Sequence, residues 1–377
     1  MNSAVPVLAR MCLPGPVLRR ALRIALLPPE VVCCEWPEWQ SDDPPAQVLL
    51  RHPGQRLRRL IPLIDAALGR SGVPLETPFK SYLRMGAAHE KMRWDVVERL
   101  TNVALAALVE RRMEFLVLRG VALASSVYPQ PYFRHCHDLD LLLRPGEADR
   151  AASCLGDAGF LPAAPPPGSD ADSRWMVHPS GFPIGIHVRP FRLAPWNRGD
   201  SWLAPSRVQT IAGYAVRTLE PPEMLAAVCI HAATVGSVHS PAWATDAWLL
   251  LAANPAIDWD RVLAFGPPLP LWLTLQWLQR NLAAPVPPKI VGELSRAAAG
   301  LDATGLQQAT AAAMLCSLGR PRELLSSAQD TGESFAWFRQ LALPETPILR
   351  WIEHSDAPRA VLHFRRLRRF VGRRGFR

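Results

Sequence analysis

Residues 115–143 read FLVLRGVALASSVYPQPYFRHCHDLDLLL, and they predict two short buried strands joined by a turn and a helix. The apolar run that opens this stretch is typical of a buried strand, and it ends at Arg119 and Gly120, a pair that indicates a turn. Residues 121–128 fit a short helix, which the prolines that follow would end. Residues 137–143 begin with alternating polar and apolar side chains and end in a run of apolar ones, so they predict the second strand.

Two aspartates, Asp138 and Asp140, lie two residues apart on this second strand. Because side chains alternate between the faces of a strand, both carboxylates point to one side, while Leu139 and Leu141 point into the core. Like charges this close repel each other, so such a pair usually persists with a cation between its members. Mg²⁺ prefers carboxylate oxygens together with substrate phosphates. The pair therefore predicts catalytic residues that bind Mg²⁺ or Mn²⁺ with a nucleoside triphosphate, and two solvated aspartates on an exposed edge strand are the alternative.

Three residues near the aspartates are candidates for binding phosphate. Gly120 allows a ligand to approach the backbone closely, and the start of the helix predicted over 121–128 favours an anion. Arg119 and Arg134 each carry a guanidinium that can hold a phosphate through two hydrogen bonds. A simple turn glycine is the alternative explanation of the Arg119-Gly120 pair.

The chain before this stretch shows helical patterns. Residues 56–75 and 80–112 have apolar residues at spacings of three and four, which is typical of amphipathic helices. On the second helix, a buried stripe with Leu108 at its edge is predicted to consist of Met92, Val96, Leu100, Val103 and Ala107.

The chain after this stretch predicts a helix over 147–159, a hairpin over 175–188, a strand over 214–218 and then helices from residue 223 onward. The predicted fold class is α+β, with a small mixed sheet flanked by helical segments on its N-terminal and C-terminal sides. Five regions are expected: an irregular proline-rich region (1–55), an N-terminal helical region (56–112), an α/β core (113–218), a C-terminal helical domain (219–345) and a basic arginine-rich tail (346–377). Within the first region, one short helix is expected around 16–27.

The composition limits the classes of protein that are compatible with the chain. Hydrophobic residues make up 49% of the 377 residues, which supports a sizeable core and not a disordered chain. The seven cysteines form no CxxC pair, so they support neither a zinc site nor a disulfide framework, and they fit mostly buried thiols of a cytoplasmic protein. No apolar run is long enough to predict a transmembrane segment.

The basic residues are concentrated at the C-terminus. The formal net charge is +9, and residues 359–377 contain eight arginines and no acid. Such a tail is typical of a patch for an acidic or phosphate-rich partner. A solvated helix with a frayed end is the alternative.

The stretch 115–143 resembles the uncharacterised bacterial nucleotidyltransferase family, within the polymerase-β-like superfamily. The family pattern is a strand ending in Lys-Gly, a short helix ending in Tyr-Pro, an arginine, and then Asp-x-Asp followed by apolar residues. The matching residues are Arg119, Gly120, Tyr128, Pro129, Arg134, Asp138 and Asp140. The resemblance covers about 80–265, and it implies a nucleotidyltransferase-like core with a mixed sheet between helical segments.

The resemblance also adds site residues and shows two departures from the family. It implies that His187, His231 and Asp246 line the cleft, and that His187 and Asp246 belong to the nucleotide-binding set. Arg119 replaces the family lysine, and an arginine keeps the charge without the compact ammonium geometry. Gly185 stands where the family has a third carboxylate, which would activate the attacking hydroxyl and help to hold a second metal ion.

The resemblance implies an enzyme that uses Mg²⁺ to transfer a nucleotidyl group from a nucleoside triphosphate to a hydroxyl or phosphate of a small molecule or peptide. Two alternatives stay open. Gly185 favours a degenerate module that binds a nucleotide or a partner without turnover, and the arginine-rich tail favours a nucleic-acid-binding protein. The sequence contains no P-loop, no Gly-x-Ser-x-Gly and no HExxH motif.

Overall fold

The structure is a computed structural model. It describes residues 4–41, 46–51, 55–166, 172–197, 205–235, 241–317, 324–325 and 331–364.

Helices occupy most of the N-terminal region, which the sequence predicts to be irregular. They are α1 (Ala4–Cys12), α2 (Pro16–Leu26), α3 (Pro29–Ser41), α4 (Ala46–Arg51), α5 (Gln55–Arg58), α6 (Ile61–Arg70) and α7 (Thr77–Glu110). The helix predicted around 16–27 is confirmed as α2, which begins at Pro16. The irregular chain predicted for the rest of 1–55 is wrong, because the described residues there are mostly helical and Pro29 is the first residue of α3, where a proline is tolerated. Leu8, Leu22 and Trp36 are fully buried, so these helices belong to the core.

A seven-stranded mixed sheet forms the centre of the described residues, and it confirms the predicted fold class. Its strands are β1 (Leu116–Leu118), β2 (Leu139–Leu142), β3 (Leu161–Pro162), β4 (Arg174–Val177), β5 (Pro183–His187), β6 (Ser206–Ile211) and β7 (Tyr214–Leu219). The spatial order is β3-β4-β5-β2-β1-β7-β6. The predicted hairpin is confirmed as β4 and β5, and the predicted strand at 214–218 is confirmed as β7.

Two short helices connect the strands of the sheet: α8 (Arg119–Ala124) and α9 (Ala148–Asp157). Strand β2 lies between β1, which it pairs with antiparallel, and β5, which it pairs with in parallel. In this register Asp140 lies opposite Leu118 on one side and Gly185 on the other. The end of β1, the start of α8 and the middle of β5 therefore meet at Asp140.

The C-terminal region is helical, as predicted. Its helices are α10 (Pro221–Val235), α11 (Ala242–Ala253), α12 (Trp259–Phe265), α13 (Pro268–Leu282), α14 (Pro288–Ala299), α15 (Ala303–Cys316), α16 (Thr331–Ala342) and α17 (Thr346–Glu353). Helix α1 packs on α15, and α2 packs on both α6 and α13. Most of the arginines of the tail fall in 365–377, which lie outside the described residues.

The buried face of α7 differs from the predicted stripe. Leu100 and Leu108 are buried as predicted, but Met92 is 68% exposed, and Val96 and Val103 are 39% and 37% exposed. The buried residues of α7 are Phe79, Leu83, Glu90, Trp94, Val97, Leu100, Thr101, Ala104, Leu105 and Leu108. The helix carries apolar residues on two faces, and only the face with Trp94 is covered.

The cysteines and the helix lengths agree with the sequence analysis. All seven cysteines are free thiols, and five of them are buried, with Cys33 and Cys34 exposed. Among the residues that the structure describes, no helix combines the length and the apolar character needed to cross a membrane.

Candidate functional site

The carboxylate of Asp140 is held from two sides. Arg119 Nη2 donates a hydrogen bond to Asp140 Oδ2 at 3.0 Å, and His187 Nε2 lies 2.9 Å from Asp140 Oδ1. Burial alone would raise the pKa of Asp140, but the hydrogen bond from His187 and the positive charge of Arg119 hold this pKa far below its usual range. Asp140 is therefore ionised and already has a cationic partner.

Asp138 lies directly before β2 and is the more open of the two aspartates, with 27% of its side chain exposed. Its carboxylate lies 3.5 Å from the imidazole of His137. Burial and the negative charge of Asp140 raise the pKa of Asp138 above its usual value. A cation that approaches Asp138 would therefore relieve an unfavourable charge.

Arg119 directly follows β1 and is the first residue of α8, and 7% of this residue is exposed. Its backbone has a φ of +34°, a conformation that is uncommon for a residue other than glycine. Its Nη1 atom is buried and has no hydrogen-bond partner among the described residues. Buried polar atoms nearly always have partners, so this unpaired donor indicates a place for an acceptor such as a phosphate oxygen.

Arg134 and Asp246, which the sequence analysis assigned to nucleotide binding, are brought into contact with each other. Arg134 donates from Nε and Nη2 to the two oxygens of Asp246, both at 2.8 Å. The Tyr128 hydroxyl donates to Asp246 Oδ1 at 2.7 Å. An added Cβ at Gly120 would lie 3.4 Å from Arg134 Nη1, so this guanidinium packs directly over the glycine. The pair ties the segment before β2 to α11, and a direct contact of either residue with a nucleotide stays a prediction.

Gly185 faces Asp140 from β5, as expected for the position of a third carboxylate. The space in front of it is filled, because an added Cβ would lie 2.7 Å from His187 Nε2 and 3.0 Å from Asp140 Oδ1. The ring of Trp175 packs perpendicular to the imidazole of His187, with ring centroids 5.6 Å apart and an interplanar angle of 88°. An imidazole therefore fills the space beside position 185, where the resemblance predicts a third carboxylate.

Further basic side chains lie near the aspartates, and the arginines among them are cations. Burial and the charge of Arg119 hold the pKa of His231, on α10, well below its usual value. Arg192, which follows β5, was missed by the sequence analysis because it belongs to no motif. Burial lowers the pKa of Arg192 to about 10, and the charge of Arg119 contributes to the decrease. Burial also lowers the pKa of Arg59, and the negative charge of Asp138 raises this pKa in part. The site thus combines two carboxylates with several buried cations, an arrangement that suits a polyanionic ligand.

The donor set fits one divalent ion better than two. Asp138 and Asp140 offer carboxylate oxygens, but both oxygens of Asp140 are already engaged and position 185 supplies no third acid. Within the described part of the chain, no group of three or more His, Cys, Asp or Glu side chains is arranged to hold a metal ion. The residues fit an ion that arrives with a phosphate ligand, because phosphate oxygens would complete its coordination.

Comparisons with known proteins give one match. A family model described as uncharacterised nucleotidyltransferase matches residues 56–266, which is more than half of the chain. The match includes the sheet, α7 and the helices α10 and α11. No curated protein and no solved structure matches the chain.

Proposed function

Because the chain belongs to the family of uncharacterised nucleotidyltransferases, we propose that it binds a nucleoside triphosphate at Asp138, Asp140 and Arg119 and transfers the nucleotidyl group to an acceptor. The observation that carries this proposal is the Arg119–Asp140 ion pair, in which Arg119 keeps a second, unpaired donor beside the two aspartates. The acceptor would offer a hydroxyl or a phosphate oxygen.

The reaction is a displacement at the α-phosphorus. The acceptor oxygen forms a bond to the α-phosphorus, the bond from that phosphorus to the bridging oxygen breaks, and pyrophosphate leaves. The proton of an acceptor hydroxyl passes to water. A bound Mg²⁺ or Mn²⁺, held by Asp138 and Asp140, would neutralise the phosphate charge and orient the triphosphate.

The role of Arg119 is to bind phosphate and to exchange partners. In the structure, Arg119 Nη2 donates a hydrogen bond to Asp140 and balances its negative charge, while Nη1 has no acceptor among the described residues. A triphosphate offers better acceptors in this low-dielectric site, so the guanidinium would turn toward the phosphate and release an oxygen of Asp140. Gly120 keeps its proposed place in the nucleotide-binding set through its backbone alone, because Arg134 packs over it. Helix α8 is only six residues long, so its dipole adds little.

We also propose that the family of this chain belongs to the polymerase-β-like superfamily. The support is the pairing of the strand that carries Asp140, directly after Asp138, with a strand that is followed by Arg119 and Gly120, within a mixed sheet. His187 and Asp246 keep their proposed places in the nucleotide-binding set, His187 by contact with Asp140 and Asp246 through Arg134.

Incubation of the protein with labelled nucleoside triphosphates, Mg²⁺ or Mn²⁺ and a cell extract tests the transfer. We expect label on an acceptor with the parent protein, and at least about a 100-fold loss with Asp138→Asn, since a preorganised charge contact of this kind is worth that much. Asp149→Asn changes an exposed acid away from the site and should leave transfer unchanged. Equal transfer by Asp138→Asn and the parent would refute the proposal.

A second candidate function is nucleotide binding without turnover. The observation that favours it is the imidazole of His187 over Gly185, because the position of the third acid is occupied by a group that is a poor ligand for Mg²⁺. Tight triphosphate binding in calorimetry, with no label transferred under any metal or acceptor condition, would favour this candidate over the enzyme.

The arginine-rich tail supports a third prediction, an acidic or phosphate-rich partner such as a nucleic acid. Residues 365–377 lie outside the described part, so the support is their sequence. Nucleic-acid binding that decreases steeply with salt and disappears when residues 359–377 are removed would support this partner.

A further inference from the structure

Arg192 lies in a segment whose backbone is fixed by hydrogen bonds from a side chain of the same segment. The segment, residues 188–197, follows β5, and it buries the side chains of Phe191 and Leu193 on either side of Arg192. Asn197 Oδ1 accepts a hydrogen bond from the Phe191 backbone at 3.0 Å, and Asn197 Nδ2 donates to the carbonyl oxygens of Phe191 and Leu193 at 2.9 and 3.2 Å. We call residues 188–197 the Arg192 loop.

Two further contacts hold the Arg192 loop from the C-terminal helices. His354, directly after α17, donates from Nε2 to the carbonyl oxygen of Arg192 at 2.7 Å. Trp196 Nε1 donates to Gln308 Oε1, on α15, at 3.0 Å. Side chains from distant parts of the chain therefore fix the backbone that carries Arg192. Such support is what a side chain needs when it must be placed accurately for a ligand.

The guanidinium of Arg192 lies near Arg119 and Asp140. Burial lowers the pKa of Arg192 to about 10, the positive charge of Arg119 lowers it further, and the negative charge of Asp140 opposes the decrease. Burial also lowers the pKa of His231, on α10, and the charges of Arg119 and Arg192 both add to this decrease. The start of α8, the Arg192 loop and α10 therefore converge beside Asp140.

An anion at Arg119 Nη1 would be attracted by two guanidiniums at once. This Nη1 atom is buried and has no acceptor among the described residues. Both oxygens of Asp140 are already bonded, to Arg119 and to His187, so this carboxylate does not supply the acceptor. Arg192 is protonated at neutral pH, because its pKa is about 10. In a region of low dielectric, the attraction of both cations for a phosphate group is stronger than at the protein surface.

We propose that Arg192 is a second phosphate-binding arginine, and that Arg119 and Arg192 together hold the terminal phosphates of a nucleoside triphosphate. The inference rests on the nucleotide binding of the proposed function. The charge of Arg119 acts on Asp138, on Asp140 and on Arg192, which places Arg119 between the aspartates and the Arg192 loop. A triphosphate whose α-phosphate lies at the aspartates then extends past Arg119 toward Arg192.

The assignment makes the site selective for the number of phosphates. A monophosphate reaches the aspartates and Arg119, whereas only a longer chain of phosphates reaches Arg192. The forked guanidinium of Arg192 can bind two oxygens of one phosphate group. Arg192 therefore contributes to the affinity for a triphosphate and not to the affinity for a monophosphate.

Calorimetry in the presence of Mg²⁺ tests this selectivity. We expect ATP to bind Arg192→Met at least about 30-fold more weakly than the parent, since hydrogen bonds to a charged group have a value of this order. Tripolyphosphate, which carries no base, should lose affinity to the same extent. The affinity for AMP, measured by displacement of labelled ATP, should be unchanged.

Two further variants separate phosphate binding from a structural role. Arg174→Met is the matched control, because it removes an arginine of β4 from an exposed pair with Asp149, and all three affinities should stay the same. Arg192→Lys keeps the charge without the fork, so it should recover part of the affinity for ATP. Urea unfolding without ligand should find Arg192→Met at least as stable as the parent, since it removes a desolvated charge beside Arg119.

Two results would overturn the proposal. Equal weakening of ATP, tripolyphosphate and AMP in Arg192→Met would mean that Arg192 supports the fold of the site. Unchanged binding of ATP and tripolyphosphate would mean that Arg192 serves another ligand, such as a carboxylate of the acceptor.

The proposal and the proposed function can fail separately. Label transfer by the parent, together with unchanged ATP binding in Arg192→Met, would refute the role of Arg192 and leave the enzyme in place. Binding of ATP and tripolyphosphate that depends on Arg192, without transfer under any condition, would support the role of Arg192 and refute the enzyme. A parent protein that binds neither ATP nor tripolyphosphate would refute both.

Discussion

His187 Nε2 lies 2.7 Å from the point at which the Cβ of any residue larger than glycine at position 185 would be placed, which is too close for a normal contact. At the scale of single residues, the lack of a side chain at position 185 therefore allows β5, His187 and Asp140 to lie this close together. This crowding also means that an acid cannot be added at position 185 without moving the imidazole.

Gly185→Asp should therefore lower the unfolding free energy by about 1–3 kcal/mol, since the new side chain overpacks the site. Gly185→Ala is the steric control and should cost a similar amount. In Gly185→Asp/His187→Ala the space is free, and calorimetry should show tighter Mn²⁺ binding than in His187→Ala alone. Equal Mn²⁺ affinity in these two variants would mean that position 185 cannot complete a metal site.

His231 predicts a pH dependence of stability. Because burial and the charge of Arg119 hold its pKa well below the usual value, the unfolded chain binds more protons than the folded chain below about pH 6.5. The contribution of His231 to the unfolding free energy is fully present above this pH. It is lost as the pH falls, by at most about 1.4 kcal/mol per pH unit.

Urea unfolding between pH 7.5 and 5.5 measures this effect. His231→Gln should remove part of the slope, and the same change at His89, which is 67% exposed, serves as the control. An unchanged slope in His231→Gln would contradict the assignment.

At the scale of the elements, a buried ion pair fixes the segment before β2 against α11. Arg134 and Asp246 are 112 residues apart in the sequence, and Tyr128 joins the same network. Only 11% and 3% of the two side chains of the pair are exposed. The network thereby positions Asp138, which follows Arg134 closely in the chain.

Asp246→Ala should lower the unfolding free energy by about 3–5 kcal/mol, because it leaves the charge of Arg134 buried without a partner. Asp149→Ala removes one member of an exposed pair with Arg174 and should cost less than about 1 kcal/mol. Chemical denaturation of both variants gives the comparison. Similar losses would show that the buried pair has no special role.

Elements with a strong local pattern could be predicted from the sequence, and elements without one could not. The hairpin was predicted because apolar runs flank a short connection. Strand β6 was missed because SRVQTI alternates weakly, with Val208 on an exposed position. The buried face of α7 was misplaced because both of its faces carry apolar residues, and only tertiary packing selects the one with Trp94.

The candidate site could be predicted in part, for the same reason. Asp138, Asp140, Arg119 and His187 lie in or beside strands, so their proximity follows from the order of those strands. The pairing of Arg134 with Asp246 could not be derived, because it joins distant parts of the chain. The burial of Arg192 likewise depends on the packing of helices around the sheet.

At the scale of the whole molecule, the first helices of the described chain pack on helices of its C-terminal region. Helix α1 contacts α15, and α2 contacts α13, so part of the core is formed by residues outside the range of the family match. Leu8, Leu22, Leu278 and Leu315 are among the residues that are at most 1% exposed.

A chain of residues 56–266 alone should therefore lack a cooperative unfolding transition, since it would expose the surfaces that α2 and α13 cover. Calorimetry and near-ultraviolet circular dichroism of this fragment, beside the full chain, provide the measurement. A single sharp transition with native side-chain signals would show that the matched range folds by itself.

The contact between Arg119 and Asp140 has a consequence for how the protein behaves outside its reaction. A carboxylate that carries its own counter-charge does not need an ion from the surroundings to hold the strands around it together. Dialysis against a chelator should leave the melting temperature unchanged, while added triphosphate with Mg²⁺ should raise it. The protein would then be as durable in a metal-poor medium as in a metal-rich one, and metal supply would govern what it does without affecting whether it stays folded.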